Sequence, residues 1–147
     1  MRVPGIAWMP GRIQPGVTSQ LACALDLFPT ALALAGAPLP EGAMLDGVNL
    51  TPLLMEQRLL PERPFFFYRG DQIFACRLGD WKAHFKTQTG YGQPKPEKHE
   101  TPLLFHLGLD PSEKRNVASN HAPVLARIQA AVEMHRAELR PGVSQLK

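Results

Sequence analysis

The sequence predicts a mixed α and β chain of the α+β kind, an antiparallel meander followed by a terminal helix, and three observations carry that prediction. Residues 64–88, PFFFYRGDQIFACRLGDWKAHFKTQ, read as three short strands joined by Gly-Asp turns. Leu125, Ile128, Val132, His135 and Leu139 recur at three- and four-residue intervals, which makes one apolar stripe on a helix. The 147 residues, 44% hydrophobic and 20% charged, fit an ordinary domain with enough apolar surface for a packed core.

From the N-terminus, Val3 to Met9 has the pattern of a short strand ended by Pro10-Gly11, and Val17 to Leu25 reads as a second extended run. Asp26 has the character of a helix N-cap. Pro29 then falls in the first turn, where a missing N–H costs little, so the helix spans about Leu27 to Ala35. A helix begun at Ser19 would instead carry Pro29 in its middle at a cost of about 3 kcal/mol, and is rejected. Gly36 supplies a left-handed stop, with Pro38 beyond it.

Pro38 to Arg63 is rich in turns, notably Asp46-Gly47, and Leu50 to Met55 is a short helical or irregular apolar segment. The meander strands lie near Phe65 to Arg69, Gln72 to Leu78 and Trp81 to Thr87. A polar loop from Thr89 to Glu100 precedes a fourth strand from Pro102 to Leu107. Asp110 and Glu113 have the spacing of a capping box, which predicts a helical turn. The last helix runs from about Ala122 to Leu139, with Pro123 in its first turn and Pro141-Gly142 as its terminator. The 15 prolines agree with loop-rich connections between short elements.

Sixteen Lys and Arg against 13 Asp and Glu give a net charge of +3 without a long basic run, which argues against a nucleic-acid partner. The N-terminal apolar stretch is broken by Pro and Gly, so neither a signal peptide nor a membrane span is expected. It opens within a strand-like pattern, as a segment of a longer protein would. Cys23 and Cys76 are too far apart for a CxxC motif and are expected to be buried free thiols.

Lys82, His84 and Lys86 are two apart on a strand and share a face, presenting ammonium, imidazole and ammonium in a row that suits a sulfate or a sugar acid. The same alternation turns Trp81, Ala83 and Phe85 toward the core, and the charged row then reads more readily as a solvated sheet face, since exposed charges on antiparallel strands are commonplace. Tyr91 and His99, in the polar loop, read either as residues that close over a neighbouring cavity or, equally, as ordinary loop residues. Arg69-Gly70-Asp71 is turn chemistry at a hairpin tip. The five histidines lack zinc-ligand spacing, no serine sits in a GxSxG elbow, and no Gly-rich phosphate loop is present.

Six stretches together resemble the arylsulfatase and N-acetylgalactosamine-6-sulfatase branch of the sulfatases: RVPGIAWMPGRI at Arg2 to Ile13, LDLFPTALALAGAPLP at Leu25 to Pro40, LDGVNLTPLL at Leu45 to Leu54, FFFYRGD at Phe65 to Asp71, WKAHFKTQ at Trp81 to Gln88, and PLLFHLGLDPSE at Pro102 to Glu113. They stand in family order, and the closing PVLARIQAAVEMHRAEL resembles the terminal helix of the galactosamine-6-sulfatase type. The resemblance implies an alkaline-phosphatase-like sulfatase fragment. Residues 1–60 would be the end of the large α/β domain, and residues 61–147 a C-terminal subdomain with a four-stranded antiparallel sheet packed on the terminal helix.

It further implies a sulfuric ester hydrolase that uses calcium and a formylglycine made from a C-x-P-x-R type motif. Neither group is expected in this chain, because Cys23 is followed by Ala-Leu-Asp-Leu, Cys76 by Arg-Leu-Gly-Asp, and there is no Asp-Asp or Asp-Asn pair. The implied picture is the last third of such an enzyme, inactive alone, whose partners would be a missing N-terminal sulfatase domain and a sulfated small molecule or sugar. Carried over by position, Lys82, His84 and His99 are cleft-lining candidates for substrate binding, with no catalytic or metal-binding residue assigned. Complete relatives work in lysosomes, in the periplasm or outside the cell. A stand-alone module for anionic glycans is the competing expectation.

Removed from their parent sheet, the Val3 strand and the Leu27 helix would leave apolar surface uncovered, which predicts poor solubility.

Overall fold

A computed structural model describes residues 3–90 and 95–139, and the chain divides into two compact units, Met1–Pro61 and Glu62–Lys147. Tyr91 and the Pro141-Gly142 terminator lie outside the described residues.

In the first unit the helix α1, Leu27–Ala35, and its left-handed stop at Gly36 (φ 65°) are as expected. Asp26 is not its cap in the expected sense. Its backbone is already helical, and a 3-10 turn, Ala24–Asp26, precedes α1. The Asp26 carboxylate instead accepts the N–H of Cys23 at 2.8 Å and that of Val48 at 2.9 Å. Thr30 extends the same network, donating to the Asp26 carbonyl at 2.6 Å and accepting from Leu50 N–H at 2.9 Å. This fully buried carboxylate therefore ties the loop Leu45 to Leu50 to the start of α1, since a buried carboxylate persists only where it is hydrogen-bonded.

Gly47 is required there by a close approach, because a Cβ at that position would sit 2.0 Å from the Leu25 carbonyl oxygen. Thr51–Glu56 forms the short helix α2, near the expected apolar segment.

Val3 to Met9 and the run from Val17 are not strands. A strand is defined by its ladder, and no described segment pairs with either. Ile6, Trp8 and Val17 stand almost wholly in solvent, and Leu25, Leu27 and Phe28 are also exposed. The first unit thus carries an apolar surface that it does not cover itself.

The second unit is the antiparallel meander. Strands β1 (Pro64–Arg69), β2 (Gln72–Leu78), β3 (Trp81–Thr87) and β4 (Glu97–His106) lie in the sheet in chain order. Gly70-Asp71 and Gly79-Asp80 make the two tight hairpins. Each glycine takes a positive φ (60° and 58°) that its following aspartate does not share, the φ pattern of a type II′ turn.

The fourth strand starts five residues earlier than expected, inside the stretch read as a polar loop. At an edge, polar residues can pair without facing a core, and Lys98 and Glu97 do so opposite Lys86 and Thr87. Between His84 and Lys86 the register slips, so that the single residue Phe85 on β3 stands against the four residues 99–102 on β4. His99 sits in this bulge.

Behind the sheet lies α3, Ala122–Glu138, entered through a 3-10 turn at Ala118–Asn120. Its Leu125, Ile128 and Val132 join Ile73, Cys76, Ala83 and Leu104 in one core, with Phe66, Trp81 and Phe85 packed against it. The stripe continues in altered form at His135, whose ring stacks on Phe66 at 3.9 Å and whose Nε2 meets the Tyr68 hydroxyl at 2.7 Å. Leu139 falls past the helix end and is exposed. Neither Cys23 nor Cys76 forms a disulfide. Cys76 is buried as expected, whereas Cys23 is only half-buried.

Candidate functional site

The strand alternation that sends Ala83 into the core sends Lys82 and His84 to the opposite face of β3, between Phe67 of β1 and Phe105 of β4. The Lys82 ammonium lies 4.7 Å from the centre of the Phe67 ring, and the His84 ring meets Phe105 edge-on at 5.6 Å. Lys82 is only 8% exposed, so this is no solvated sheet face.

The loop after β4 supplies what a buried cation needs. Glu113 places one carboxylate oxygen 2.7 Å from Lys82 Nζ and the other against His84 Nε2. Its backbone takes φ 54°, a left-handed conformation that a glutamate adopts at a cost of about 1 kcal/mol.

The expected helical turn at Asp110 is reduced to a single hydrogen-bonded turn, closed by Glu113 N–H on the Asp110 carbonyl at 3.1 Å, and no helix follows from it. Asp110 does accept backbone N–H groups, those of Lys114 at 2.7 Å and Arg115 at 2.8 Å. Glu113 does not complete the box, because its left-handed backbone breaks the helical path and its carboxylate goes to the sheet. Glu113 escaped the sequence reading for that reason. It is 31 residues from Lys82 and 29 from His84, and its local spacing advertises a different role.

Protonation follows from these contacts. Burial pushes the His84 imidazole below its ordinary value; the hydrogen bond to Glu113 opposes this, while the Lys82 and His99 charges reinforce it. Burial alone would raise Glu113, but the hydrogen bonds and charges of Lys82 and His84 outweigh it and hold the carboxyl below the usual range. Both shifts favour a neutral imidazole and an ionised carboxylate at neutral pH, with Lys82 Nζ on the same carboxylate.

Of the expected row, Lys86 stands apart, bonded at 2.6 Å to the Gln72 side chain in an exposed position. His99 comes close enough to His84 to act on it electrostatically, with its own Nε2 2.9 Å from Thr87 Oγ1. The structure therefore brings Lys82, His84 and His99 into one neighbourhood and adds Glu113 to it.

Among the described residues no group of three or more His, Cys, Asp or Glu side chains could hold a metal ion. The Cys76 thiol, pushed up to about 12 by burial, is an inert core side chain.

Comparison with known proteins agrees with this fold. A family model described as the C-terminal region of aryl-sulfatase matches residues 60–147. N-acetylgalactosamine-6-sulfatase of Homo sapiens is 39% identical over 170 aligned residues, covering 99% of this chain and 32% of that protein. Arylsulfatase A of Homo sapiens is 40% identical over 151 residues, covering 90% of this chain and 29% of that protein.

Among solved structures, the PsFucS1 sulfatase from Pseudoalteromonas sp. superposes with a TM-score of 0.66 at 22% identity, over 76% of this chain and 25% of that one. A sulfatase from the metabolism of multiple glycosaminoglycans by Bacteroides thetaiotaomicron gives 0.61 at 26% identity, over 77% of this chain and 24% of that one. The chain thus spans about a third of the length of the curated relatives it matches.

Proposed function

The chain belongs to the sulfatase family as an aryl-sulfatase C-terminal region, and from that premise we propose that it forms one wall of the substrate cleft of a sulfuric ester hydrolase and does not turn over substrate alone. The observation that carries this reading is the asymmetry of coverage. The relatives account for 99% of this chain, yet this chain accounts for 32% of N-acetylgalactosamine-6-sulfatase.

The chemistry of the described residues supports the same division of labour. Calcium and a formylglycine, which the family resemblance implies for the whole enzyme, do not fit here. Cys23 and Cys76 stand outside any C-x-P-x-R motif, and the carboxylates do not converge on a metal site among the described residues. Attack on sulfur and stabilisation of the developing sulfate charge would therefore fall to residues upstream of the Arg2 to Ile13 stretch. Residues 1–60 would close the large domain, and the meander would present His84 and His99 to a sulfated small molecule or sugar, with Lys82 behind them.

No observation favours the stand-alone anionic-glycan module. Two of the three basic groups on its supposed binding face, Lys82 and His84, already meet at Glu113. No helix among the described residues is long and apolar enough to cross a membrane.

Reading the gene upstream of Met1 tests the proposal directly. An in-frame C-x-P-x-R motif and an Asp-Asp pair are expected. A start codon with its own promoter at Met1 would overturn the sulfatase-wall reading for this polypeptide.

A further inference from the structure

Among the described residues only one of the two His84 ring nitrogens is engaged. Nε2 meets the Glu113 carboxylate, which at neutral pH can only accept, so the proton sits on Nε2. Nδ1 has no partner among the described residues. Because no buried side-chain nitrogen or oxygen there lacks one, this nitrogen opens to solvent, consistent with a His84 side chain 20% exposed. The Lys82 ammonium on the same carboxylate disfavours a second positive charge on the ring, as does the neighbouring His99.

We propose that Glu113 and Lys82 form a positioning unit that holds His84 as the neutral Nε2–H tautomer, its Nδ1 lone pair offered to a hydroxyl group of a sugar substrate and not to its sulfate. The inference rests on the cleft-wall reading for the identity of the ligand, and on the geometry alone for the proton. A sulfate oxygen needs a donor, and an imidazole lone pair repels it; a sugar hydroxyl needs an acceptor and finds one. The face that the sequence marks as basic would then read the glycan ring, and sulfate recognition would belong to groups outside it. Lys82 acts here through His84 and touches no ligand.

Imidazole nitrogen spectra of the ¹⁵N-labelled full chain test this. At neutral pH His84 should show a protonated Nε2 and a lone-pair Nδ1. Unsulfated N-acetylgalactosamine should move Nδ1 saturably, and inorganic sulfate should leave it unmoved.

Lys82→Met should raise the His84 titration midpoint, so that a proton on Nδ1 and a response to sulfate appear at a higher pH than in the parent chain, whereas Lys82→Arg should behave as the parent chain does. A proton on Nδ1 of the parent chain at neutral pH, a response to sulfate, or silence toward the sugar would each overturn the proposal. Loss of the cleft-wall reading through the upstream gene sequence would leave the tautomer result standing, so the two failures are distinguishable.

Discussion

Replacing Glu113 with alanine strands a buried cation, and the structure sets how much that should cost. The Lys82 side chain is 10% exposed and that of Glu113 23%, so the pair is mostly but not wholly desolvated. Breaking a fully buried pair costs about 3–5 kcal/mol because the remaining charge is left uncompensated. Two features reduce the figure here. Water reaches the vacated position through the exposed part of the loop, and the Phe67 ring 4.7 Å from the ammonium still offers a cation–π contact worth about 0.5–2 kcal/mol.

Glu113→Ala should therefore destabilise the second unit by about 2–3 kcal/mol. Glu113→Gly loses the same carboxylate but relieves the left-handed backbone, and should be less destabilising than alanine by about 1 kcal/mol. Urea unfolding followed by fluorescence reports on this unit through Trp81, which packs against the core, while Trp8 is already 83% exposed. An alanine variant within about 0.5 kcal/mol of the parent, or a glycine variant less stable than alanine, would refute the reasoning.

The remaining predictions concern acid, packing and a close contact. Both His84 and Glu113 are held low in the folded state, so the unfolded chain binds more protons and stability must fall on acidification. The His84 contribution is present above its ordinary value of 6.5 and is lost as pH falls toward its folded value; that of Glu113 is present above 4.5 and lost below. Urea midpoints measured across that window should decline in both stages, and Glu113→Ala should abolish the lower one. Ile128→Ala, at a fully buried position of α3, should cost about 2–5 kcal/mol in the same unfolding assay. Gly47→Ala should force its loop away from Leu25 and Asp26, and limited proteolysis should then cut between Gly36 and Leu50 at least tenfold faster, a loss of about 1.4 kcal/mol or more.

What was legible in the sequence is what local chemistry decides. The Gly-Asp turns fix the ends of β2 and β3 because each needs a glycine at positive φ, and the α3 stripe survives because Leu125, Ile128 and Val132 reach the core together. Elements whose existence depends on a partner were misread. Val3 to Met9 has a strand's composition but no described strand to pair with, and Glu97 and Lys98 lie in a stretch of loop composition but pair at the sheet edge. The site was half visible. Strand periodicity placed Lys82 and His84 on one face, yet nothing local announces that Glu113 will turn left-handed and neutralise it.

Turnover by the chain itself tests most directly whether the reactive chemistry lies outside it. The full chain, purified with calcium and offered an aryl sulfate such as 4-nitrocatechol sulfate, should release no phenol above the buffer rate. Calcium-dependent turnover, lost in a Cys23→Ala or Cys76→Ala variant, would contradict it.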